Sequence, residues 1–484
     1  MKLAEYASLD AVDLARLIAT GETSADEVQR CALEAIDQLN PRLNFISGPV
    51  LRTPRWTPDA PMSGVPFLVK EGHGCKGFPL TMGSRLGAGL QAPADSAFAA
   101  RLRASGVAIL AATTAPEFGA YPVTESALHG ATRNPWNLDH SPGGSSGGAS
   151  AAVAAGVVPV AQASDGGGSI RGPAHCTGLF GLKPSRGRTP GEGGLFGFPH
   201  IHVTSRSVRD SAAFLDLLQG PCDGARYRLA PPLRPFLEEV RRDPGSLRIG
   251  FCRESPGCVP LSPQCRDAVE ESARLLESLG HRVEEASPAL SWGRLLGSFA
   301  NVWPHPLPYA VGQLCRLAGR AAGPDMLDAQ TLQLLEHASK LRVEDLLLAE
   351  AAFHEARIAV DRYFATYDLW LTPGGVRQAP RIGIYDPSRE ADDVLAASER
   401  VLHEYAAFTP VFNVTGHPAA SIPLVQGSNG LPVGIQAAAA MGNEAVIFRL
   451  AAQLEQVRPW AGRFPPHSIF AAAPIPGRPA APRA

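Results

Sequence analysis

The chain carries almost no net charge. Its 44 Lys and Arg stand against 46 Asp and Glu, a formal net charge of −2 over 484 residues. A protein built to grip nucleic acid or an anionic membrane would show a basic excess, so neither is expected as a partner. No apolar run approaches the ~18 residues of a bilayer span; the longest, AAVAAGVVPVAQA at 151–163, is broken by Gly156 and Pro159. The opening residues, MKLAEYASLDAVDLARLIATGE, lack an apolar core behind a basic head and do not read as a secretory leader. The eight cysteines (Cys31, Cys75, Cys176, Cys222, Cys252, Cys258, Cys265 and Cys315) show no Cys-x-x-Cys or Cys/His zinc spacing. They read as reduced, mostly buried thiols of a cytoplasmic protein. Phosphate-gripping loops are missing too: there is no GxxxxGK[ST], and no GxGxxG opening a helix after a strand. Nor does the chain read as a strand-to-helix nucleophile elbow of the α/β-hydrolase kind.

What is present is an ordinary globular composition, 45% hydrophobic and 19% charged, able to bury a large core. Helix and strand patterns alternate. Two helices are expected over 8–40, capped by Ser8 and by Thr23 or Ser24, the second closing at Pro41. GVPFLVK (64–70) reads as a buried strand, SAFAARLRASG (96–106) as a helix and VAILAAT (107–113) as a strand. IGFC (249–252) precedes another helix–strand unit at 268–285. This alternation predicts an α/β fold. Residues 221–247, rich in Pro and Arg, are expected to wrap the surface, and 326–366 to form a surface helical pair. No linker splits the chain. A single domain is expected over 1–465, with a motif core at about 60–210, a substrate-shaping region at about 220–365 and a Pro/Ala-rich tail at 466–484.

Two glycine-rich clusters, each holding serine, lie close together: SPGGSSGGASAAVAAG (141–156) and SDGGGSIRG (164–172). The first could be a flexible linker, or a loop whose backbone must approach a reacting group closely. In the second, Gly166, Gly167, Gly168 and Ser169 offer consecutive N–H groups unshielded by side chains. Such donors can form an oxyanion hole, each worth about 2.7–4 kcal/mol to a developing negative charge. Ser169 is then the candidate nucleophile and needs a base. Lys70 ends an apolar strand, where desolvation favours the neutral amine. Bringing it from about 10.4 to near 7 takes roughly 4 kcal/mol, which a buried, carboxylate-poor pocket could supply.

These segments resemble the amidase signature family of serine hydrolases. The matching stretches are GVPFLVKEG (64–72), TRNPWNLDHSPGGSSGGASAAVAAG (132–156), SDGGGSIRGPAHCTGLFGLKPSRGR (164–188), YDLWLTPG (367–374) and FNVTGHPAASIPL…LPVGIQ (412–436), so the likeness runs from about residue 8 to about 465. The resemblance implies a large mixed sheet covered by helices on both faces. It implies a Ser–Ser–Lys triad of nucleophile Ser169, bridging Ser145 and base Lys70, with the Gly144–Ser145 peptide cis and no metal or organic cofactor. The expected activity is hydrolysis of a small, neutral amide through an acyl-enzyme. Alternatives on the same fold are the glutaminase-type subunit of an aminoacyl-tRNA amidotransferase, and an ester hydrolase or acyltransferase of secondary metabolism. Two positions depart from the family pattern: Glu71 follows the lysine where aspartate is usual, and Gly166 stands where threonine is common. The Gly-Gly-Gly form and the SRSVRDSA segment (205–212) are most similar to the branch holding cyclic amide-oligomer hydrolases.

Around this core, Asp165 and Arg171 are expected to pair and hold the nucleophile loop, which Gly144 also supports. Tyr121 and Cys315 are candidates for the substrate pocket. His73, His129 and His175 lie near the motifs but are not required by the triad. The expected partner is a small-molecule amide, with a homodimer as one assembly state.

Overall fold

The computed structural model describes residues 1–191, 194–256, 259–386 and 389–472. Its centre is a ten-stranded mixed sheet. From edge to edge the strands run Ala108–Thr113, Pro66–Lys70, Val160–Asp165, His200–Ser205, Phe180–Lys183, Ala419–Gln426, Pro432–Ala439, Leu369–Pro373, Arg248–Phe251 and Arg282–Glu285. The first three are parallel, the middle pairings antiparallel, and the last three strands again parallel. Helices cover both faces over two large apolar clusters. The α/β expectation holds, and each anticipated strand forms.

The central strands are buried along their whole length, which is why they read as continuous apolar runs rather than alternations. Some helices have no exposed face: Gly147–Ala154 is buried throughout, and Arg171–Thr177 is buried at every residue but the half-buried Gly172. The first, GGASAAVA, is small enough to pack directly onto the sheet. A side chain at Gly148 would put its Cβ 2.4 Å from Thr114 Oγ1. This settles the question of the 141–156 cluster: its glycines permit close packing and the segment is no linker.

Three local expectations are corrected. Ser8 ends a short helix, Leu3–Ser8, and it is Asp10 that caps Ala11–Ala19, accepting from the Asp13 N–H at 3.0 Å. Ser24 does cap the next helix, but that helix passes through Pro41 to Leu43. The tail expected at 466–484 is docked at its start. Ser468, Ile469 and Phe470 are buried, and the Ile469 N–H donates to Ala155 O at 3.0 Å. Phe470 stacks on Phe464, two apolar rings in a segment otherwise rich in Ala and Pro. Residues 473–484 lie outside the described residues, as does Cys258. Of the other seven cysteines, none is in a disulfide; Cys31, Cys75, Cys176 and Cys265 are buried. Among the described residues no helix is long and apolar enough to cross a membrane.

Candidate active site

The strands Pro66–Lys70 and Val160–Asp165 are parallel neighbours, so their C-terminal ends lie at the same edge of the sheet, where α/β folds place ligands. Lys70 ends one strand, and Ser164 and Asp165 end the other. The loop before Gly147–Ala154 brings Ser145 and Ser146 to the same point, and the Gly144–Ser145 peptide is cis.

Lys70 is 4% exposed and its Nζ meets three hydroxyls: Ser145 Oγ at 2.8 Å, Ser164 Oγ at 3.0 Å and Ser146 Oγ at 3.1 Å. Burial pulls its pKa down from 10.5 to about 7, against the opposing pull of Asp165 and Glu71. A neutral amine has two N–H donors and one lone pair, so one of the three hydroxyls must donate to it. Ser146 spends its proton on Ser164 O at 3.2 Å and therefore accepts from Lys70. Ser145 Oγ and Ser164 Oγ have no other partner among the described residues, so either is free to donate its proton to Nζ.

The pocket is not carboxylate-poor, contrary to the expectation. Glu71 and Asp165 are both buried beside Lys70, but each is committed elsewhere. Glu71 accepts from Thr81 Oγ1 and from the Ala115 N–H at 3.3 Å, and lies 2.9 Å from His129 Nε2. Asp165 is held by Arg171 through Nε at 3.0 Å and Nη2 at 2.9 Å. The remaining Arg171 donors go to Gln436 Oε1 at 2.7 Å, Thr409 O at 3.0 Å and Asn413 Oδ1 at 2.7 Å. The guanidinium beside it, with Asn413, holds the Asp165 carboxyl well below the usual range despite its burial. The expected loop-holding pair is present. Asp165 also accepts from the Gly168 N–H at 2.7 Å and the Ile170 N–H at 3.1 Å, folding the nucleophile loop around itself.

That arrangement corrects the oxyanion-hole expectation at one position. The Gly168 N–H turns inward to Asp165, and Gly168 adopts φ +135°, a conformation that favours glycine; a Cβ there would lie 2.3 Å from Thr409 Oγ1. Gly166, Gly167 and Ser169 have no backbone N–H bond among the described residues, so these three can face a developing oxyanion. Ser169 Oγ likewise has no hydrogen-bond partner among them and opens onto two cavities. The expected link from Ser145 to Ser169 is not a hydrogen bond here; the two residues line one of the cavities together.

Tyr121 lines the mainly apolar cavity that extends past Gly167, and its hydroxyl lies 3.0 Å from Thr331 Oγ1. Cys315 does not. It packs beside Leu86, Val311 and Leu314, because its helix Leu307–Ala318 turns that face away from Ser169. His175 Nδ1 accepts from the Gly434 N–H at 3.0 Å, which leaves Nε2 to donate to Arg377 O at 3.0 Å. Its two nitrogens are thus used in bracing the wall. Burial lowers the His73 pKa to about 3, so its ring stays neutral. The sequence reading missed Ser146, Ser164, Asn413, Gln436 and Trp303. The first four sit inside the quoted motif segments, where a signal existed. Trp303 lies in the helical region, where no local pattern marks it. The letters G-x-S-x-G do occur at 143–147, but no strand leads into them, so they are not a nucleophile elbow.

A serine set among free backbone donors, at the strand ends of a large mixed sheet and next to a buried lysine, belongs to the class of amide-bond hydrolases. Comparison with known proteins gives the family. A family model described as Amidase matches residues 33–448, and the chain belongs to the amidase signature family. It is 34% identical to the 6-aminohexanoate-cyclic-dimer hydrolase of Pseudomonas sp. (strain NK87), covering 94% of this chain and 96% of that protein. It is 37% identical to the putative amidase AmiC of Mycobacterium tuberculosis (strain ATCC 25618 / H37Rv), covering 94% and 95%. The solved structure of 6-aminohexanoate cyclic dimer hydrolase complexed with substrate superposes with a TM-score of 0.88 at 32% identity, over 95% of this chain and 99% of that one.

Gly167 offers a local test of the backbone donors. A Cβ at this position would lie 3.1 Å from Phe299 Cζ. Gly167→Val should therefore tilt the loop and lower kcat by about 10²-fold, the usual cost of one lost oxyanion donor, with only a small shift in Tm. Thermal melts run beside the kinetics check this. A Tm loss large enough to unfold the enzyme under assay conditions would make the role structural.

Proposed function

We propose that the protein hydrolyses the carboxylic amide bond of a small, uncharged, linear or cyclic substrate, with Ser169 as nucleophile, Ser145 as relay and Lys70 as base. The observation that carries this is the buried Lys70 Nζ, 2.8 Å from Ser145 Oγ and poised near neutrality. Ser169 Oγ attacks the carbonyl carbon and its proton passes through Ser145 to Lys70. The tetrahedral oxygen faces the N–H groups of Gly166, Gly167 and Ser169. The proton returns through Ser145 to the nitrogen, the amine leaves, and water attacks the Ser169 ester. The relay closes when Ser169 turns towards Ser145; such contacts are often long before substrate binds. The mainly apolar lining of the cavity that holds Tyr121, together with the cyclic-dimer hydrolases among the relatives, supports cyclic amide oligomers as the first substrates to try.

The test is labelling by a fluorophosphonate, followed by peptide mass mapping and a screen of cyclic and linear amides. The adduct is expected on Ser169, with turnover of at least one uncharged amide. An adduct on another serine overturns the assignment.

A further inference from the structure

Two cavities meet at Ser169, and the residues common to both are Gly119, Ala120, Ser169 and Trp303. The Trp303 side chain is the only bulky one in that boundary. Three restraints fix it. Its indole Nε1–H donates to Ala120 O at 3.3 Å. Its ring stacks on Phe299, with centroids 5.2 Å apart and planes 28° from parallel. Its far edge lies over Gly166, where an added Cβ would be 3.0 Å from Cη2 and 3.4 Å from Cζ3. The glycine that departs from the family pattern is thus the floor on which this indole rests.

The cavities are chemically unequal. One contains Lys70, Ser145 and Ser164. In the reaction proposed above, the departing nitrogen takes its proton from Ser145, so the amine half of the substrate must project on that side. The acyl half then occupies the other cavity, past Gly167 towards Tyr121 and Tyr405. On the amine side Glu71, His73 and Asp165 also line the cavity near Lys70, and the walls further out include Met82, Phe118, Phe196, Phe198 and His305, a surface that suits an apolar amine better than ammonia.

We propose that Trp303 is a specificity-determining residue that separates the amine half of the substrate from the acyl half, that Gly166 is small to admit its indole, and that the substrates are secondary amides with apolar groups on both sides of the C–N bond. This rests on the Ser169–Ser145–Lys70 reading. In the step concerned the C–N bond breaks, a Ser169 Oγ–carbonyl ester forms, and the serine proton leaves on the amine. Water later returns Ser169 and releases the acid. No redox partner is involved.

The experiment is a double-mutant cycle of W303A and G166A, with W303F as a milder change that keeps a ring on Phe299. kcat/KM is measured for hexanamide, N-butylhexanamide and hexanoyl p-nitroanilide, which share an acyl group and differ in the amine. The wild type should favour the two secondary amides. W303A should change the anilide-to-hexanamide ratio by about tenfold or more, and W303F should change it in the same direction. G166A should shift the ratio about threefold or more where Trp303 is present and not in W303A, since non-additivity is the mark of direct contact. A ratio unmoved by W303A and W303F, or a G166A effect equal in both backgrounds, overturns the partition. A wild type that releases ammonia but neither amine overturns the substrate class, and so does one that releases none of the three. Fluorophosphonate mapping of each variant keeps the two readings apart. If Ser169 is labelled and the ratios do not move, only the partition falls; if Ser169 is not the labelled residue, the underlying triad falls.

Discussion

Ser169→Ala should lose amide turnover by a factor on the order of 10⁶, the scale seen when a serine hydrolase loses its nucleophile. The protein should still fold. Ser169 lies at a cavity boundary and its Oγ makes no hydrogen bond among the described residues, so the substitution removes no structural contact. The Asp165–Arg171 pair, which organises the loop, is untouched. Single-turnover kinetics and a thermal melt decide the matter. Turnover within tenfold of wild type in a folded Ser169→Ala protein would require a different nucleophile, and the spare hydroxyl of Ser145 would be the next to test.

Changing Lys70 should have an effect nearly as large, and it carries a pH signature. The base must be neutral, and the neutral fraction rises as pH climbs through about 7. Below that value kcat/KM should gain about tenfold per pH unit, and above about pH 8 it should level off. Glu117 needs a control. Burial and the nearby Asp328 push its carboxyl up to about 7, on the loop that carries Tyr121. Glu117→Gln should keep the inflection, and Lys70→Ala should abolish it. Burial lowers the pKa of His73 to about 3, well below the window, and also lowers that of His175. Lys70→Arg should be as inactive as Lys70→Ala, because a guanidinium stays protonated above pH 12 and cannot accept the serine proton. Both variants should hit amides harder than esters, since an amine must be protonated to leave. Substantial amide hydrolysis by Lys70→Arg would exclude the neutral-lysine mechanism.

The structure bears on why the lysine pKa falls at all. The sequence suggested isolation from carboxylates, yet two lie beside it. Asp165 is paired with a guanidinium whose five donors are all engaged, and Glu71 accepts hydrogen bonds from Thr81 and Ala115 and lies beside His129. Their residual pull on Lys70 is smaller than the cost of burying an ammonium among three neutral hydroxyls. The site therefore reaches a neutral base by desolvation, which outweighs the pull of the nearby carboxylates.

By itself the sequence determined the α/β class, the strand that ends in Lys70, the paired glycine–serine clusters and the Asp165–Arg171 contact. These follow from short-range rules: a buried strand must be apolar, a backbone that approaches another closely must be glycine, and a charge beside a buried loop needs its opposite nearby. The tertiary structure alone decided the rest, including the strand that ends in Asp165. Ser146 and Ser164 join Lys70 because two strands and one loop converge from positions up to 94 residues apart. Gly168 leaves the oxyanion hole because Asp165 claims its N–H. Cys315 faces away from the pocket, and Trp303 faces into it, because the helices that carry them dock at angles no local pattern encodes. A packed contact between distant segments depends on how whole elements settle against one another, and that information is spread over the chain rather than held by the residues that finally touch.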